Sequence, residues 1–188
     1  VFGDWSSDVC SSDLLCCLRQ MTSAGPFNQA VIEQRDDVLL YTTDVLEEDI
    51  IVAGNIRLDL FASTSARDTD FTGKLVDIHP DGKALNLTDG IIRARFRNDD
   101  MPEFVTPGDV VNYIIDLGNT AITFKKGHRI GLEVSSSNFP RFDRNLNTGG
   151  KIGREKDYVT ATQTVYHTQV YPSRLVLYII SDSVMSRF

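Results

Sequence analysis

Between Asn55 and Ser63 the sequence reads NIRLDLFAS, and its aliphatic residues Ile56, Leu58, Leu60 and Ala62 alternate one for one with Arg57, Asp59 and Phe61. A period of two puts the aliphatic set on one face of an extended strand, whereas a helix would bring its apolar residues round every three or four positions. The pattern continues downstream. GKLVDIHPDGKALNLTDGIIRARFR, residues 73–97, predicts strand, turn, strand, turn, strand, with Pro80-Asp81-Gly82 and Thr88-Asp89-Gly90 at the turns. VVNYIIDL, AITF, the KKGH turn and RIGLEVSSS extend the series, and RLVLYII is a closing apolar strand. No segment carries a sustained 3.6-residue pattern with caps, which limits helix to a turn or two near residues 153–157. About eight strands at short spacing predict an all-β chain with minor helix: a β-sandwich, most simply a jelly roll. Its long polar connections fall at 63–70, 97–109 and 138–160.

The first residues do not share this texture. Asp4–Leu14, DWSSDVCSSDL, has neither a strand nor a helical period, and it resembles, letter for letter, one reading frame of a common sequencing-adapter oligonucleotide. Residues 1–14 are therefore read as an artefactual leader, 15–182 as one domain and 183–188 as a tail. Setting the leader aside removes Asp4, Asp8 and Asp13 and no basic residue, which takes the formal charge from −7 to −4. A mildly acidic chain without a basic cluster argues against a nucleic-acid partner. No apolar run approaches membrane-spanning length, so a soluble chain is expected; its compartment stays undetermined. Outside the leader the cysteines are the adjacent Cys16 and Cys17, a poor disulfide framework and not a zinc signature.

A complete catalytic apparatus is not visible. The G-x-S-x-G turn of an α/β-hydrolase is missing, and Ser135, Ser136 and Ser137, at the end of a predicted strand, are expected to bond local backbone. His79 precedes the Pro80 turn, His128 follows Gly127 in another turn, and His167 lies in TVYHT; as scattered residues they predict no metal site. Asp68 and Asp70 cap a loop or, as the lesser reading, ligate a cation. Arg93, Arg95 and Arg97 alternate with Ile92, Ala94 and Phe96, so one strand face carries three guanidinium groups, either for an acidic partner or paired to neighbouring carboxylates.

Four stretches carry a family resemblance: RDDVLLYTTDVLEEDIIVAG, DTDFTGKLVDIHPDGKALNLTDGIIRARFR, KKGHRIGLEVSSSNFPRFDRNLNTGG and the closing YPSRLVLYII. Together they resemble, in collinear order over roughly residues 15–180, the C-terminal domain of cocaine-esterase-like (CocE/NonD) serine hydrolases, a domain shared with X-Pro dipeptidyl-peptidases and α-amino-acid ester hydrolases. The resemblance implies a galactose-binding-like jelly roll that packs on an α/β-hydrolase domain and its helical cap. The Ser-His-Asp triad belongs to the absent hydrolase domain, so no catalytic residue and no cofactor is carried over. The implied partners are those two domains of a parent chain, with a homo-oligomer left open. The segment before Gly25-Pro26-Phe27-Asn28-Gln29 implies a pocket-lining place for Leu15, Cys16 and Cys17; two small hydrophobes plugging an interface is the competing reading. In the third stretch, Asn138, Phe139, Arg141 and Phe142 are the expected inter-domain contact, on a loop that Pro140 and the short polar side chains should fix. The alternative from another class is an independent carbohydrate-binding-like module, which a row of exposed aromatics would favour; Trp5, in the leader, is the single Trp.

Overall fold

The computed structural model describes residues 26–98 and 101–180. Leu15, Cys16 and Cys17, the leader and the tail lie outside the described residues.

Among the described residues, nine strands form two antiparallel sheets. They are β1 (Leu39–Thr42), β2 (Ile50–Thr64), β3 (Asp70–Ile78), β4 (Ala84–Arg93), β5 (Val111–Phe124), β6 (Arg129–Ser135), β7 (Gln163–Tyr166), β8 (Arg174–Val176) and β9 (Ile179–Ile180). One sheet runs β1-β6-β3-β4. In the other, β5 takes one edge of β2, while β7, β8 and β9 lie end to end along the opposite edge. The alternation in β2 has the expected consequence: Ile56, Leu58, Leu60 and Ala62 are all buried. They meet Tyr113, Ile115 and Leu117 of β5, Phe71 and Leu75 of β3, and Leu132 and Val134 of β6 in a core between the sheets. Each such burial removes apolar surface worth about 1.5–3 kcal/mol from water.

The structure corrects the sequence reading at several joints. Thr88-Asp89-Gly90 is not a turn: β4 runs straight through it. Gly90 is needed there because β4 passes close over β5, where a side chain would meet the Asp116 backbone. VVNYIIDL and AITF are one strand, β5, kinked at Gly118 (φ 83°), where the pairing with β2 shifts by one residue. RLVLYII divides into β8 and β9, and between them Tyr178 packs against Gly54 of β2 (φ 132°) while its carbonyl accepts the Ala53 amide at 3.0 Å. Helix falls elsewhere than expected, as single 3-10 turns at Ile32–Gln34 and Ala94–Phe96, while residues 153–157 hold no helix. The Pro80-Asp81-Gly82 and Lys126-Gly127 turns are where the sequence puts them. No described helix is long and apolar enough to cross a membrane.

Candidate functional site

The sandwich is closed on one side and open on the other. On the closed side Thr88 of β4 donates its hydroxyl to the Leu117 carbonyl of β5. On the open side, where β1 and β6 face β7 and β8, a cleft of about 510 Å³ is walled by Leu58, Leu60, Leu132, Val134, Leu175 and Leu177.

The connection after β6 begins at the serines, of which Ser135 and Ser137 bond local backbone as expected, while Ser136 Oγ is buried without a hydrogen-bond partner among the described residues. The Ser135 hydroxyl lies 2.7 Å from that of Thr72, and Ser137 Oγ accepts from the Phe139 backbone at 3.2 Å. Asn138 is buried and donates to Asp89 at 2.6 Å, Arg141 reaches the other oxygen of the same carboxylate, and the Phe142 amide closes back on the Asn138 carbonyl at 3.0 Å. The loop is thus clamped to β4 through Asp89, the residue that the sequence had assigned to a turn. Phe139 and Phe142 stay half-buried outside the core. The Arg144 guanidinium sits 4.5 Å over the Phe139 ring, and Arg141 lies 5.5 Å from the Phe142 ring with its side chain 54% exposed. Four candidate contact residues therefore share one loop, in which each aromatic ring lies beside an arginine guanidinium.

Behind the loop lies a buried ionic network. Asp68 accepts from Arg95 Nε at 2.7 Å, Asp70 takes Arg93 bidentately at 2.8 and 2.9 Å, and Asn145 Nδ2 bridges the two carboxylates. Burial pushes the Asp70 carboxyl up against the opposing pull of Arg93. These partners answer the two open questions about charge. Both aspartates are already satisfied by Arg and Asn, with no cation needed. The arginines are paired to carboxylates instead of facing a partner, Arg97 to Glu103 at 3.1 Å included, and the strand alternation fails because residues 94–96 turn inward and bury Arg95.

One convergence escapes sequence reasoning. Asp77 and His79 leave β3 two residues apart, on the same side of the chain, and His128 immediately precedes β6, which pairs with β3 antiparallel. His128 Nδ1 comes within 2.9 Å of Asp77 Oδ1, His79 Nε2 within 3.4 Å of Asp77 Oδ2, and the two imidazole centroids stand 4.3 Å apart. The signal was the spacing Asp77-x-His79, which becomes meaningful only once β6 is known to lie beside β3. His167 stays apart, edge-on to Tyr41 beside the open cleft.

Comparison with known proteins fits this architecture. The X-Pro dipeptidyl-peptidase C-terminal non-catalytic domain matches residues 6–176, a span that opens inside the segment read as a leader. A cocaine esterase of Rhodococcus sp. (strain MB1 Bresler) is 47% identical over 159 residues, covering 83% of this chain and 28% of its own length. The crystal structure of an aminopeptidase from a marine sediment Thaumarchaeota archaeon superposes with a TM-score of 0.79 at 37% identity, over 82% of this chain and 27% of that one. An α-amino acid ester hydrolase gives 0.78 at 32% identity with the same coverage. The chain thus spans little more than a quarter of the length of these relatives. With its two-sheet fold, its family-bearing loop clamped on Asp89 and a match along most of its length, the chain belongs to the X-Pro dipeptidyl-peptidase C-terminal non-catalytic domain family of CocE/NonD-type hydrolases.

Proposed function

We propose that this jelly-roll domain buttresses a serine α/β-hydrolase domain and its helical cap within a longer parent chain that hydrolyses esters or amides, and that it helps to close the parent's substrate pocket. The observation that carries this reading is the Asp89 clamp. Asn138 and Arg141 both end on one carboxylate, so the loop is fixed from within, while Arg141 keeps 54% of its side chain exposed and Phe139 and Phe142 are only half-buried. A self-contained surface loop has no need of paired aromatic rings capped by arginines. A loop that docks on another domain does, because pre-ordering removes most of the entropy cost of docking. Leu15, Cys16 and Cys17 would then line the pocket on its acyl side, as their place before Gly25-Pro26 suggests.

The test is made in a complete parent enzyme carrying this domain. Phe139→Ala and Arg141→Ala should each lower its melting temperature and its ester turnover. If both variants melt and turn over like the wild type, the loop is not the contact and the reading fails.

A further inference from the structure

The Asp77, His79 and His128 cluster has no part in the buttressing role, and its chemistry is specific. Two imidazoles and a carboxylate are the donor set of zinc and the neighbouring first-row divalent metals. The three candidate ligand atoms lie within 4.8 Å of one another. A tetrahedral zinc ion with bonds of about 2.0–2.2 Å needs ligand atoms about 3.3–3.6 Å apart, so from separations of up to 4.8 Å the side chains must adjust by as much as about an ångström. The backbone is already in place. Asp77 and His79 come from the end of β3, and His128 comes from the turn before β6, whose Gly127 lies against Pro80.

Three further features separate this group from an ordinary surface ion pair. Asp77 sits between the two imidazoles, with one oxygen facing Nδ1 of His128 and the other facing Nε2 of His79, which gathers one metal-binding atom from each residue into a single cluster. The nearby lysines are bound elsewhere, Lys83 to Asp81 at 2.6 Å and Lys125 to Asp49 at 2.8 Å, which leaves the Asp77 carboxylate to the histidines. The His79 and His128 side chains are 29% and 15% exposed, so an ion can enter from solvent and keep a water as fourth ligand.

We propose that Asp77, His79 and His128 form a site for a divalent transition metal of the zinc class. Binding there joins the tip of the β3–β4 hairpin to the β5–β6 turn that links the two sheets, and so fastens one end of the sandwich.

The test uses the full 188-residue chain with Cys10→Ser, Cys16→Ser and Cys17→Ser, so that thiolates do not compete for the probe. Calorimetric titration with zinc chloride in a non-chelating buffer should show one equivalent bound and a rise in melting temperature that EDTA reverses. His79→Ala and His128→Ala should each weaken binding by at least about tenfold, while His167→Ala leaves it unchanged. X-ray absorption at the zinc edge of the loaded chain, which needs no substitution at the site, should show two imidazole nitrogens with oxygen completing the shell. Failure to bind one equivalent, binding that survives both histidine substitutions, or a shell without imidazole pairs overturns the proposal. The cluster is then a hydrogen-bonded bracket between two turns. None of these outcomes bears on the Asp89 loop, whose test is turnover of the parent enzyme.

Discussion

Gly90 of β4 lies directly against the backbone of Asp116 in β5: a Cβ on Gly90 would overlap the Asp116 carbonyl oxygen and stand 2.9 Å from its carbon. The obstacle is backbone in the middle of a strand, which cannot swing away as a long side chain would. Gly90→Ala should therefore destabilise the chain by about 2–3 kcal/mol, the cost of overpacking a site that cannot relax. Chemical denaturation checks this, and an unchanged midpoint would show that the sheets can slide apart locally.

The ionic network behind the loop predicts a contrast. Asp68 is fully buried and Arg95 nearly so. Asp68→Asn would leave the guanidinium buried without its counter-charge, at a cost of about 3–5 kcal/mol. Lys83→Met, which removes an equally close but exposed pair with Asp81, should leave the melting temperature where it is.

Tyr113 is buried against Phe71, and its hydroxyl has no hydrogen-bond partner among the described residues. Desolvation pushes its pKa up to about 12. Tyr113→Phe should be neutral or stabilising, because it removes a desolvated hydroxyl and keeps the ring. A loss above about 1 kcal/mol would reveal a hydrogen bond that the described residues do not supply.

Acid sensitivity should be traceable to single carboxylates. Lys125 and the Lys126 backbone amide hold Asp49 below its ordinary value of 3.8, and the Gly118 amide and Asn55 do the same for Asp116. A carboxylate whose folded pKa is depressed stabilises the fold above its unfolded value, and that contribution fades as pH falls through the folded one. The melting-temperature gap between wild type and Asp49→Asn should thus be constant above pH 3.8 and close below it. A gap that persists in strong acid would assign the effect to lost shape and not to charge.

The 188-residue chain by itself should show no hydrolysis of an activated ester above a blank, since the sequence lacks a G-x-S-x-G turn. Turnover abolished by a serine-directed inhibitor would contradict the non-catalytic assignment.

The sequence made the fold legible wherever the information was local. The alternation from Ile56 to Ala62 identifies the central strand, and Pro80-Asp81-Gly82 marks a turn, because two- and four-residue patterns suffice for both. Thr88-Asp89-Gly90 misleads for a nonlocal reason: its glycine answers to the backbone of Asp116, far along the chain, and its aspartate to Asn138 and Arg141. The arginine pattern at 93–97 fails in the same way, since the pull of buried Asp68 on Arg95 turns the chain off the sheet. Of the candidate site, the loop from Asn138 to Phe142 was visible through its family character, but its clamp was not. The meeting of His79 with His128 needs the β3–β6 pairing, which no short-range pattern encodes.

One edge of β2 is completed by β7, β8 and β9, whose first residue, Gln163, follows Thr64 at the end of β2 by about a hundred positions. At about 5–20 residues per second, a ribosome needs roughly 5–20 s to deliver that distance. Once β5 has emerged, at Phe124, a nascent chain can pair β2 with β5 and fill much of the core, yet the far edge of its longest strand stays bare to any other extended peptide until β7 follows. Synthesis of this domain therefore has a vulnerable period set by chain order, and the three short strands end it together as the last stitches in the sheet.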